Sequence, residues 1–94
     1  MPVGPDDEAD RVRDHREVNR FELVKDGHTA FLEYERRTDA FVLLHTEVPS
    51  ALQGTGVGTR LVKGALELAR TEARPLVVRC PFVTAYLKKH PEAR

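Results

Sequence analysis

A single cysteine, Cys80, stands in a chain of 94 residues. That excludes an internal disulfide and any Cys-x-x-Cys metal or redox pair. A reducing, cytoplasmic setting fits such scarcity. An excess of one charge is also missing: Lys and Arg number 15, Asp and Glu number 15, and the formal net charge is zero. A general electrostatic binder of nucleic acid needs a basic surplus, so no nucleic-acid partner is expected. A local basic patch remains compatible with neutrality. No apolar run approaches the ~18 residues of a membrane span. The polar start, Met1 to Asp14, has no signal-peptide core, so no membrane partner is expected. No His/Cys/Asp cluster suggests a metal, and His28 and His90 read as surface residues. Internal repeats and linkers are absent.

What is there suits one small soluble domain: 40% of residues are apolar and 32% charged, within the usual globular range. Residues 1–14 read as a disordered, charged leader. Val18 to Val24 alternates Val18, Phe21 and Leu23 as a strand. Asp26-Gly27 then predicts a type I′ hairpin turn, because both central residues of that turn need positive φ. Thr29 to Glu35 forms the partner strand, and Arg36 to Asp39 a second turn. Phe41 to Val48 is a third strand, whose apolar start predicts cover on both faces.

Leu61, Val62, Ala65, Leu66, Leu68 and Ala69 give a helical stripe over Gly56 to Ala73. Gly64 in mid-helix costs about 1 kcal/mol relative to Ala, which points to close packing against the sheet. Leu76 to Cys80 is a short strand, expected parallel to the third. Pro81 suits the first turn of a final helix over Phe82 to Lys89. The order βββαβα defines an α/β (α+β) fold: antiparallel meander, crossover helix, short parallel strand, C-terminal helix.

The most telling stretch runs from Val48 through Gln53-Gly54-Thr55-Gly56-Val57-Gly58-Thr59-Arg60. A strand ends in a loop of alternating glycines, and a helix begins at once. Backbone amides in such a loop can approach a phosphate, and the helix N-terminus adds partial positive charge. A Walker A loop needs Gly-Lys-Ser/Thr, which Gly58-Thr59-Arg60 does not supply. A dinucleotide fingerprint needs its glycines after the first strand and an acid ending the next strand about 20 residues on. Here they come after the third strand, and Glu72 ends a helix instead. The glycines taken alone leave phosphate binding and tight strand–helix packing equally open.

Gln53-x-x-Gly56-x-Gly58, after a meander and opening a long helix, resembles the acyl-CoA loop of the GNAT N-acetyltransferase superfamily. Phe21-Glu22-Leu23, Ala30 to Tyr34, His45 to Pro49, Cys80 to Val83, Tyr86 and His90-Pro91 resemble its small single-domain members. The resemblance covers nearly the whole chain and implies a minimal GNAT-like, acyl-CoA-binding domain over residues 15–94. Most of the acceptor-binding helices of larger members have no counterpart. Relatives often continue past Glu92-Ala93-Arg94 with apolar residues, which implies a looser end to the last helix here.

The resemblance also implies acetyl-CoA as the co-substrate, with no metal, and an unidentified amine or lysine as the acceptor. By the same resemblance, Val48 would offer backbone groups to the pantetheine amides. Gln53, Gly54, Thr55, Gly56, Val57, Gly58 and Thr59 would hold the pyrophosphate, Thr59 adding its hydroxyl. Arg60 and Lys63 would reach phosphate oxygens, including the 3′-phosphate.

Cys80 has two readings: a nucleophile that takes the acyl group, or a small buried residue. His45 and Glu47 share a strand face. Glu47 resembles the general base of some acetyltransferases, and His45 can serve near neutral pH. Local hydrogen bonding and a solvated edge are their plainer roles. Tyr86-Leu87-Lys88 resembles a Tyr-x-Lys whose tyrosine protonates the leaving thiolate; packing on the sheet is its alternative. A monomer or weak dimer suits the size. The competing function is a non-catalytic CoA or acyl-CoA module acting with a partner protein. A purely structural domain is the third reading.

Overall fold

The computed structural model describes residues 11–93, so residues 1–10 of the expected leader lie outside the described residues. The leader's end departs from expectation. Arg13–His15 is a strand, β1, paired antiparallel to β2 (Arg20–Lys25). Its residues, Arg13, Asp14 and His15, give no apolar alternation, so this edge strand is silent in the sequence. Val18, expected to open the next strand, lies 47% exposed in a 3-10 turn. Asn19, in the left-handed conformation with φ 57°, redirects the chain into β2.

β2 and β3 (His28–Arg36) form the expected hairpin, with Lys25 opposite His28. Asp26 and Gly27 have φ of 52° and 77°, as the type I′ turn requires. β4 (Phe41–Glu47) pairs antiparallel to β3, and β5 (Leu76–Val78) pairs parallel to β4. The sheet order is β1-β2-β3-β4-β5. Between β3 and β4 the register slips: Tyr34 faces Leu43, but Glu33 faces His45. Leu44 is therefore the extra residue of a bulge. The cover expected for β4 holds for its first half, Phe41, Val42 and Leu43 being buried, while Leu44, His45 and Glu47 are exposed.

Two helices complete the fold, α1 (Val57–Arg70) and α2 (Pro81–Lys89). Both pack on the sheet face that carries Phe21, Leu23, Ala30, Leu32, Tyr34, Phe41 and Leu43. Within that core the rings of Phe21, Tyr34 and Phe41 meet with centroids 4.7 to 5.8 Å apart. Buried Val57, Leu61, Val62, Ala65, Leu66 and Ala69 form the α1 stripe; Leu68 is only half-buried. α1 ends before the expected Ala73. Thr71 donates its hydroxyl to the Leu68 carbonyl at 2.7 Å, and Ala73 turns the chain at φ 58°.

Gly64 is closely packed, but not by the sheet. A Cβ there would collide with a Val12 methyl. The segment leading into β1 crosses α1 at that point, and only a glycine admits it.

The sheet end remote from the glycine loop is tied by charge. The Arg36 guanidinium donates to both Glu72 carboxylate oxygens, at 2.9 and 2.7 Å, to Asp14 at 3.1 Å and to the Tyr34 hydroxyl at 3.1 Å. Tyr34 in turn donates to Asp14. Arg16 and Arg74 also reach Glu72, at 3.8 and 3.4 Å. The Arg36 fork holds the Glu72 carboxyl below its usual range. Burial, then the Asp14 carboxylate, push the Tyr34 hydroxyl up.

Candidate functional site

β4 and β5 part company where chemistry becomes possible. Their pairing ends at Leu43 and Val78, and the last bond across is Arg79 N–H to the Leu43 carbonyl at 2.9 Å. Expected to continue to Cys80, β5 stops because Cys80, extended at φ −89°, becomes the N-cap of α2 with Pro81 in the first turn. A gap opens between the second half of β4 and the start of α2. Cys80 sits at its apex, 1% exposed, with its sulfur 3.1 Å from the Thr46 hydroxyl. The buried reading of Cys80 therefore describes its surroundings.

The glycine loop lines one side of this gap. A 3-10 turn, Ser50–Leu52, plants Leu52 in the core at 2% exposure. The Gln53 amide donates to the Val48 carbonyl at 3.1 Å, so Gln53 braces the loop on the end of β4. Thr55 closes the turn through its own hydroxyl to the Leu52 carbonyl at 2.5 Å. Gly54 and Gly56 have φ of 81° and 86°, with open space where a Cβ would stand. Only glycine takes that conformation without strain.

Gly56 caps α1, with no side chain bonding the first turn. The first helical bond runs from Arg60 N–H to the Gly56 carbonyl at 3.1 Å. The amides of Gly56, Val57, Gly58 and Thr59 thus precede the helical ladder. Gly56, Gly58 and Thr59 line a cavity of about 340 Å³ with Val48, Leu52, Gln53, Gly54 and Phe82, while Val57 is buried. Unpaired amides, the positive end of a 14-residue helix and a concave wall suit an anionic ligand.

Gly58 is glycine for another reason. A Cβ there would lie 2.6 Å from the tip of the Phe82 ring, so a phenyl group occupies the space over the first turn of α1. Of the two openings left by the motif, phosphate approach and tight packing, Gly54 and Gly56 have the geometry of the first. Gly58 has that of the second.

The other expected residues divide between places. His45 and Glu47 lie on the sheet face opposite the helices, with His45 Nε2 3.1 Å from the Glu47 carboxylate. Both are more than half exposed, at 53% and 61%, so this pair adds little stability. Thr46, between them, points to the Cys80 side. Strand alternation thus puts the candidate base and the buried thiol on opposite faces of β4.

Arg60 and Lys63 line a separate groove with Arg11, Val12, Gly64, Glu67 and Leu68, of about 530 Å³. Tyr86 lies six residues along α2 from Cys80, about 9 Å at helical rise. Its ring stacks on His90 at 4.7 Å. With Thr59, Phe82, Ala85 and Lys89 these two line a further hollow of about 280 Å³. The sequence reading gives Phe82, Lys89 and His90 no functional role, although Phe82 and His90 stand among the residues of the family resemblance. The spacing Phe82, Tyr86, His90, with Ala85 and Lys89, is one helix face, and that periodicity is the signal that marks them.

Among the described residues, no cluster of His, Cys, Asp and Glu could hold a metal, and no helix is long and apolar enough to cross a membrane.

A mixed sheet that splays beside a buried N-cap, with an amide-lined cleft at the adjoining helix start, fits one class of protein. Residues 20–94 match the family described as GCN5-related N-acetyl-transferase, and the chain belongs to that family. It is also 33% identical over 84 residues to the mouse (Mus musculus) Protein NATD1, covering 86% of this chain and 76% of that relative. The human (Homo sapiens) Protein NATD1 is 33% identical over 84 residues, covering 86% of this chain and 74% of the relative. The Xenopus tropicalis Protein NATD1 is 32% identical over the same length, covering 86% and 77%.

Proposed function

We propose that the protein transfers an acetyl group from acetyl-CoA to an amine. The carrying observation is the set of amides of Gly56, Gly58 and Thr59, ahead of the helical ladder and beside a cleft that Val48 and Phe82 also line, in a chain of this family. The diphosphate of CoA would take those amides, and the pantetheine arm would run along Val48 toward Thr46 and Cys80. The Val48 carbonyl already accepts from Gln53, so the Val48 N–H is its simpler contribution.

In this reading the acceptor approaches from the open sheet face. Glu47, oriented by His45, removes the amine proton as nitrogen attacks the thioester carbonyl. The acyl carbon leaves sulfur for nitrogen, and the thiolate departs with CoA. Burial of Cys80 and its bond to Thr46 favour this direct route over an acyl-cysteine intermediate.

Two measurements test the proposal. Calorimetric titration should show heat with acetyl-CoA, and transfer to lysine peptides or small amines should accompany it; no heat at millimolar ligand would remove the reading. Cys80→Ala should keep most of the turnover, and its complete loss in a folded variant would restore the covalent route. The second reading, a CoA-binding module acting with a partner protein, is favoured by one observation: His45 and Glu47 stand on an open face rather than in a closed pocket. Binding without transfer to any amine offered would select it.

A further inference from the structure

We propose that the outer edge of β5, with the groove between it and α2, binds an extended acidic segment of a partner protein as an added strand. The two outermost strands of the sheet meet solvent differently. β1 carries Arg13, Asp14 and His15, and charge on an edge strand deters pairing with another chain. β5 is Leu76-Val77-Val78, apolar throughout and half-buried. Its existing bonds show which groups remain for a partner. The Pro75 carbonyl accepts from the Phe41 N–H, and the Arg79 N–H donates to the Leu43 carbonyl, each at 2.9 Å. Alternate residues of a strand turn their main-chain groups to the same neighbour. Pro75 and Arg79 face β4, so Val78, one residue before Arg79, turns its N–H and carbonyl outward.

A groove of about 340 Å³ lies beside that edge, lined by Val78, Thr84, Leu87 and Lys88. Val78 and Leu87 are only partly taken up by the core, so apolar surface of both remains to the groove. With a strand edge for one wall and a helix for the other, a peptide can pair through its main chain and seat alternate side chains between them. Charge selects the partner. Arg79 and Lys88 are both exposed, and neither has an ion pair among the described residues. A second copy of this chain would bring the same two cations against them. An acidic segment neutralises them instead. The groove shares no lining residue with the amide-lined cleft, so the inference stands apart from the CoA reading.

The test titrates a capped hexapeptide of alternating glutamate and valine into the isotope-labelled full chain, with lysine replacing glutamate in the control peptide. Amide chemical shifts and hydrogen exchange report the contact. The glutamate peptide should shift the amides of Val78, Leu87 and Lys88 and slow exchange of the Val78 N–H. It should bind about tenfold more tightly than the lysine peptide, the order of two exposed ion pairs. Arg79→Gln and Lys88→Gln should each remove part of that preference. Arg79→Glu combined with Lys88→Glu should reverse it at an unchanged melting temperature. No shift at millimolar peptide, shifts centred on β1, or equal binding of the two peptides would overturn the proposal. So would a preference that survives the charge reversal in a folded variant. Dimerisation through Val78 without peptide would assign the edge to a second copy and overturn the acidic partner.

Discussion

The two ends of α1 are built to opposite specifications. At its C-terminal end, Arg36 binds Glu72, Asp14 and Tyr34 in one network that joins β1, β3 and the turn leaving the helix. At its N-terminal end no side chain caps the helix, β4 has lost its β5 partner, and Phe82 stands half-exposed. About 21 Å of helix separates them. Stabilising interactions concentrate at one end, and backbone polar groups stay unpaired at the other, where the proposed ligand would complete them. A small domain has few residues with which to do both, so it divides the tasks along one helix.

Three perturbations bear on that division. Gly56→Asp should have the largest effect. It sets a carboxylate against the expected phosphates, a like-charge clash of several kcal/mol, so CoA affinity should fall about a hundredfold or more. The left-handed φ of 86° adds roughly 1–2 kcal/mol of strain to folding. Titration and melting together measure it, and unchanged affinity would falsify the placement of the cleft.

Arg36→Ala comes next and should act on the opposite end alone. It removes the two-pronged donor of Glu72 and leaves Glu72 and Asp14 only the longer contacts of Arg16, with Arg74 on Glu72, at a cost of about 2 kcal/mol. Urea unfolding should show that loss, while CoA affinity should change less than twofold; a comparable loss of affinity would show that the two ends are coupled. The pH profile carries the same signature. The Glu72 carboxyl is depressed in the fold, so its contribution is present above the unfolded value of ~4.3 and fades as pH falls through the folded one. The Tyr34 hydroxyl is raised, so its contribution is complete below ~10 and fades as pH rises through the folded value. Arg36→Ala should flatten the acid flank, and an acid limb of unchanged steepness would show that other carboxylates govern it.

Gly64→Ala is the smallest and the sharpest in sign. Helix propensity favours alanine by about 1 kcal/mol. The methyl would strike the branched, short side chain of Val12, and overpacking of that kind costs about 1–3 kcal/mol. A net loss near 1 kcal/mol is expected from the difference of the two. In a Val12→Ala background the same change should become stabilising. A gain in both backgrounds would mean that the segment before β1 does not hold to α1.

Much of this is legible in the chain itself. Asp26-Gly27 specifies its turn because only residues tolerant of positive φ fit there. The α1 stripe specifies its face because helical periodicity and burial coincide. The glycine loop specifies the turn into α1 because Gly54 and Gly56 take the positive φ that this turn requires. What the residues cannot announce depends on partners distant in sequence. β1 is a strand because its charged residues and the turn after it find Glu22, Glu72 and Arg36 across the fold. Nothing in Gly58 distinguishes it from Gly56 until the Phe82 ring arrives from α2. The bulge at Leu44 alters which face His45 and Glu47 occupy relative to Phe41 and Leu43, and no local pattern encodes it.

The placement of Cys80 has a practical consequence. As the sole thiol in the chain, 1% exposed at the N-cap of α2, it reacts with an alkylating reagent only when its surroundings open. The rate of modification under native conditions thus equals the rate of reaction of a free thiol multiplied by the fraction of time the gap stands open. Tracked at increasing CoA concentration, that one side chain becomes a clock for the breathing of the cleft, read without introducing any label elsewhere.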